Sequence, residues 1–226
     1  MIGLTAALLT FVALHSVPAL PAVRANAIAV LGRRAYLLSY SLLSVLALAW
    51  VFHEALNAEY VELWTPQRWH AHITFIMAPA GLFLVSAGLL SANPLSITLL
   101  HSGPPGAITR ITRHPVLIGF LLWATGHIFA KGDVRSLLLF GGLGLFSLAG
   151  VLILDRRARK QLGTRWHTLV AATSVVPFAA VLSARSTLSV DRPLLIGLLV
   201  SLTVTVWLLA GGHGRLFGAD PLLRLW

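Results

Sequence analysis

Cysteine is absent from the 226-residue chain. That excludes disulfides, thiolate metal sites, iron–sulfur clusters and a cysteine nucleophile. Charge is scarce too. Asp, Glu, Lys and Arg together make up 11% of the residues, where a soluble globular domain carries roughly 25%. Hydrophobic residues reach 57% and the mean hydropathy is +0.84. A soluble fold would lack the surface charge to stay dissolved, and a disordered chain needs the opposite bias. What remains is an integral membrane protein, all-α, built as a polytopic helix bundle in a lipid bilayer.

Acidic side chains are the scarcest of all. Seven Asp and Glu stand against 17 Lys and Arg, for a formal net charge of +10. In a soluble protein such an excess points to nucleic acid. Here the basic residues fall in short segments between apolar runs, which is a topology signal, so no nucleic-acid partner is expected.

Crossing about 30 Å of hydrocarbon takes around 20 apolar residues. Seven runs approach that length, at 2–22, 36–53, 73–90, 116–130, 137–154, 169–182 and 194–210, which predicts six or seven spans. The run at 169–182 contains Pro177 and is open to a re-entrant or interfacial reading. No basic residue precedes the first run, so it is expected to persist as a helix and not to serve as a signal peptide. The segments 23–35, 91–115 and 155–168 carry net charges of +3, +2 and +4, whereas 54–72, 131–136 and 183–193 cancel. The positive-inside rule then puts the basic segments in the cytoplasm and the amino terminus outside, as in a multi-pass protein of a bacterial inner membrane. The polar stretch 184–192 separates a transmembrane domain, 1–185, from an additional span and short tail, 186–226.

Ionisable residues inside spans are costly and are functional candidates by default. His15 and His127 lie within apolar runs, while His53, His70, His72, His167 and His213 sit at run ends, where interfacial anchoring explains them. Pro18 cannot donate to the carbonyl of Leu14, so the helix loosens beside His15. A histidine bonded to that freed carbonyl is one reading; a ligand is the other. His114 opens the fourth run with Pro115 at a helix first turn, and Arg110 and Arg113 precede it. Topology places His15 and His114 in the same half of the membrane, whereas His127 lies about 20 Å further along the helix from His114. Two imidazoles without thiolate or nearby carboxylate suit a planar cofactor with axial ligands, a haem, whose propionates favour Arg. The string Asp155-Arg156-Arg157 reads as an ion-paired cap, its acid answered by its own neighbours or by Arg110 or Arg113.

The string Ile108-Thr109-Arg110-Ile111-Thr112-Arg113-His114-Pro115, followed by Trp123, His127, Gly132-Asp133, Asp155-Arg156-Arg157, Gly163 and Thr173-Ser174-Val175-Val176-Pro177-Phe178-Ala179-Ala180, resembles the NnrU family of bacterial membrane proteins. The same features are similar to the 15-cis-zeta-carotene isomerases of plants and cyanobacteria, which carry haem b. The resemblance implies axial ligands at His15, beside Ser16, and at His114; the basic character of that face adds Arg110, Arg113, Asp155 and Arg156 as expected neighbours of the cofactor. A more distant likeness, in Arg113-His114-Pro115 and the later Pro177-Phe178, is to the isoprenylcysteine carboxyl methyltransferase-like fold. There Asp155-Arg156 stands where an acidic pair would bind S-adenosylmethionine, so the second acid is missing. Three functions follow as expectations. One is a haem-dependent cis–trans isomerase of an apolar polyene such as zeta-carotene. The second is a non-enzymatic haem protein linked to nitrite and nitric oxide reductase expression in denitrification. The third is an S-adenosylmethionine-dependent membrane methyltransferase.

Overall fold

A computed structural model describes residues 1–100 and 102–224, and among them it is helical with no strand. Contacts divide the chain into two compact units, Met1–Thr65 with Gly132–Gly142, and Pro66–Lys131 with the chain from Leu143 onward.

The first unit opens with α1 (Ile2–Ser16), a 3-10 turn (Val17–Ala19) and α2 (Pro21–Leu31), followed by α3 (Arg33–Asn57). The long first run predicted from sequence is therefore broken. Pro18 and Pro21 remove two backbone donors in quick succession, and the two helices are bent by 82°. The basic segment after it, expected as a loop, is largely the helix α2, ended by Gly32 at φ 77°. Helices α1 and α3 run antiparallel, with Gly3 seated on the Glu54 carboxylate at one end and His15 against Tyr40 at the other. The loop after α3 is fastened to the start of α7 (Val134–Leu162). Leu63 and Trp64 both donate to the carbonyl of Gly132, Val134 donates to Val61, and Arg135 donates to Ala58 at 2.9 Å. Asp133 is buried and caps α7 by accepting from the backbone and hydroxyl of Ser136, each at 2.9 Å.

The second unit holds α4 (Arg68–Leu90), α5 (Ile108–Ile111), α6 (Pro115–Lys131), the rest of α7, α8 (Thr164–Ala171), α9 (Ala179–Leu182), α10 (Arg192–Trp207) and α11 (His213–Phe217). Helices α4 and α6 are antiparallel and meet through glycines seven residues apart on each, Gly81 and Gly88 facing Gly119, Pro115 and Val116. A Cβ on Gly119 would stand 2.5 Å from the Gly81 carbonyl oxygen, so the backbones touch. This is the small-residue packing that membrane helices use where no hydrophobic effect drives association. Thr74 adds a hydrogen bond to the Gly126 carbonyl at 2.6 Å. Helix α10 packs on α4 by the same device, Gly197 against Ala87, and Ser201 donates to the Pro79 carbonyl at 3.0 Å. Gly150 of α7 receives Leu117, completing an apolar core of Leu84, Ala87, Ile108, Leu117, Ile118 and Val151.

Among the described residues four helices are long and apolar enough to cross a membrane, Arg33–Asn57, Arg68–Leu90, Val134–Leu162 and Arg192–Phe217, and the bent pair α1 and α2 would make a fifth. Helix α6 is apolar but only 17 residues long. The run 169–182 is not one helix: α8 ends at Ala171, a turn carries Pro177, and Phe178 takes a left-handed φ of 63° before α9.

Candidate functional site

The junction between α5 and α6 is buried and densely hydrogen-bonded. Residues 111–119 are buried without interruption. Their backbone is lashed to the chain after α8. Arg113 donates its amide to the Ser174 carbonyl at 2.7 Å, Phe178 donates to Ile111 at 2.7 Å, and the Thr112 hydroxyl donates to Val175 at 2.8 Å. Buried Asn93 accepts from Leu95 and donates to the Arg113 carbonyl at 2.9 Å. Pro115 starts α6 without a donor to waste, which leaves His114 as the last residue of the fixed turn.

Three ionisable side chains meet here. The guanidinium of Arg113 donates from Nη1 to Asp155 Oδ2 at 2.9 Å and from Nε to Thr173 Oγ1 at 3.1 Å, and it lies 5.5 Å over the Trp166 ring. The other carboxylate oxygen of Asp155 is 2.8 Å from His114 Nε2, and His114 Nδ1 is 2.9 Å from Ser96 Oγ. The His114 side chain has 0% exposure. Burial pushes its pKa below the ordinary 6.5, and Asp155 pulls the other way. The chemistry open to such an arrangement is to hold one proton between imidazole and carboxylate, out of water, with Arg113 balancing the acid.

The other residues read from the sequence are placed as follows. Arg110 donates to the hydroxyl of buried Ser186 at 2.9 Å. Arg156 is exposed on α7. His15 belongs to the first unit and is half-buried there. Its Nδ1 lies 2.8 Å from the carbonyl oxygen of Phe11, not that of Leu14, and its ring is 4.2 Å from Phe11. A carbonyl only accepts, so Nδ1 carries a proton. His127 is fixed in the same way by the Trp123 carbonyl at 2.8 Å. Among the described residues no group of three or more His, Asp or Glu could hold a metal ion.

These geometries test the haem expected from the resemblance. An axial imidazole gives one nitrogen to iron and donates from the other to a carboxylate or carbonyl. His15 has that donor pattern. His114 does not, because Asp155 holds one of its nitrogens and Ser96 the other. From sequence His114 pairs with His15, and nothing there announces its bond to Asp155. A spacing of 41 residues across a helix and a turn carries no local signal of such a pair.

Apolar helices packed through glycines, with a buried ionic cluster at a helix start, define a polytopic helical membrane protein. The chain belongs to the NnrU family, whose model, described as NnrU protein, matches residues 3–221. It is also similar to two plant proteins named 15-cis-zeta-carotene isomerase, chloroplastic. The protein from Arabidopsis thaliana is 32% identical over 110 residues, 49% of this chain and 30% of the relative. The one from Zea mays is 33% identical over 110 residues, with the same coverage of 49% and 30%. The chain thus matches less than a third of the length of these curated relatives. No solved structure matches. The likeness to the isoprenylcysteine carboxyl methyltransferase-like fold has no support among these matches.

Proposed function

We propose that the protein is a membrane-embedded cis–trans isomerase of an apolar polyene such as zeta-carotene. The observation that carries this reading is the similarity to the two plant isomerases, over about half of the chain. The architecture supports it in kind. A polyene reaches a protein through the bilayer, and the ionic cluster of Arg113, His114 and Asp155 lies among apolar helices, where such a substrate partitions. In this reading the protein sits in a bacterial inner membrane, with the amino terminus outside and the basic segments 91–115 and 155–168 inside. Haem b enters the proposal through His15; at His114 it would have to displace Asp155.

The test is expression in a bacterial strain made to accumulate 15-cis-zeta-carotene, with the isomers separated by chromatography. The expected result is loss of the 15-cis isomer relative to the empty vector. It should be abolished by Asp155→Asn at equal protein level. Full-length protein that reaches the membrane and leaves the isomer ratio unchanged overturns the proposal. The purified protein answers the cofactor separately: a b-type pyridine haemochrome lost in His15→Ala supports haem, and a colourless active protein removes it.

A further inference from the structure

The second unit contains three acidic residues, Asp155, Asp191 and Asp220, and each is already engaged. Asp155 is held by Arg113 and His114. Asp191 accepts from the amides of Ala107 at 2.7 Å and Leu194 at 2.9 Å, joining a loop to the start of α10. Asp220 accepts from the amide of Leu222 at 2.9 Å. Against these stands a run of cations where α7 leaves its apolar stretch. Arg156, Arg159 and Lys160 on α7 and Arg165 on α8 are all exposed.

The fold gathers these four onto one small structure. Gly163, at φ 53°, turns the chain sharply between the two helices. The apolar side of α8 then packs back, with Trp166 in a cluster with Ala158 and Leu95, and Leu162, Leu169 and Val170 around it. Arg185 closes the far end, reaching the carbonyls of Ala171 and Thr173 at 3.4 Å. With its apolar face spent inward, the hairpin shows the outside a basic surface, and the acid adjacent in sequence is turned away from it.

We propose that this α7–α8 hairpin is a binding surface for anionic phospholipid headgroups. Three observations favour lipid over another anion. The surface begins directly after the apolar part of a helix long enough to cross the membrane, so it stands at headgroup depth. The three acidic side chains of its own unit are all engaged elsewhere. Its cations are spread over two helices and do not converge on a pocket, which suits a layer of headgroups. Clusters of four or more basic residues beside a membrane helix bind anionic leaflets in this way, each contributing separately.

The test uses the full-length protein in nanodiscs of phosphatidylcholine containing one part in five of phosphatidylglycerol. Lipids retained by the protein are measured by native mass spectrometry. The expected result is enrichment of phosphatidylglycerol by about fivefold or more over its share of the disc, falling as salt is raised because exposed charges are screened. The combined variant R156Q/R159Q/K160Q/R165Q should retain lipids in the bulk ratio. Loss of these charges can also disturb insertion, so the lysine variant R156K/R159K/R165K is measured beside it and should keep the enrichment. Wild-type protein without enrichment, or enrichment insensitive to salt, overturns the proposal. So does displacement of the retained lipid by millimolar inorganic phosphate, which would mark a site for a free anion, or by a short RNA at the same charge concentration. None of these outcomes bears on isomerase activity, so the two proposals fail separately.

Discussion

Removing the acid that joins Arg113 and His114 should cost more than removing the base. Asp155→Ala leaves a guanidinium whose side chain is 8% exposed without its counter-charge. Breaking a buried pair from one side costs about 3–5 kcal/mol. The Asp155 side chain is 26% exposed, so water relieves part of the loss, and about 2–3 kcal/mol is expected. At roughly 2–4 °C per kcal/mol for a chain of this size, Tm should fall by about 5–10 °C. Arg113→Met is milder, because His114, 2.8 Å from the acid, can take up a proton and become its partner. About 1–2 kcal/mol is expected there. In the double variant neither charge is stranded, so the two losses should fall short of additive by about 1 kcal/mol or more. The assay is thermal unfolding of the purified protein in detergent, followed by tryptophan fluorescence, since Trp166 lies under Arg113. Two results would refute the reasoning: a fall of less than about 1 °C in Asp155→Ala, or strict additivity of the two changes.

Stability should also follow pH through His114. Its pKa is lowered in the folded state, so as pH drops below about 6.5 the unfolded chain takes a proton that the native imidazole refuses. Tm should therefore decline from that pH downward and level off once the native imidazole protonates, and His114→Asn should flatten the profile. Gly119→Leu should prevent α4 and α6 from meeting, since even a Cβ there collides with the Gly81 carbonyl; size-exclusion chromatography should show an aggregated or poorly expressed protein. Thr74→Val should cost only about 0.6 kcal/mol, the ordinary value of a hydrogen bond between membrane helices, and unfolding should show a Tm shift of no more than about 2 °C. A reporter fused after Gly163 should be active only if it reads cytoplasmic location, and periplasmic activity would reverse the proposed orientation.

Helix boundaries were most legible where proline and glycine punctuate the apolar pattern. Pro115 marks the start of α6, and the apolar runs at 36–53 and 73–90 are the middle of α3 and the C-terminal part of α4. What was lost was geometry hidden inside continuous hydrophobicity. The run 2–22 has no polar interruption strong enough to announce a bend of 82°, although Pro18 and Pro21 supply its cause. The arginines of segment 23–35 suggest a loop, but in Pro21–Leu31 alanine and other good helix formers outweigh them. Within the site, Arg113 stands in the sequence among the possible partners of Asp155 and Thr173 opens one of the family strings, whereas Ser96 and Asn93 give no sign. The roles of all three polar residues depend on long-range contacts, 60 residues apart for Arg113 and Thr173, and polar residues in turns are common enough that composition does not single them out.

Taken as one of the spans expected from the sequence, α6 is short enough to bear on which bilayers would suit the protein. Its 17 residues reach only about 25 Å, a few ångströms short of a typical hydrocarbon layer of about 30 Å. The missing length falls at a helix start beside Asp155, whose side chain is 26% exposed and which a thicker layer would press against lipid tails. Short acyl chains let the polar boundary descend to meet it, while long chains must thin locally around the protein at a cost of fractions of a kcal/mol per ångström. Acyl-chain length thus becomes a variable the cell can use: it would sort this protein toward thinner regions of a membrane.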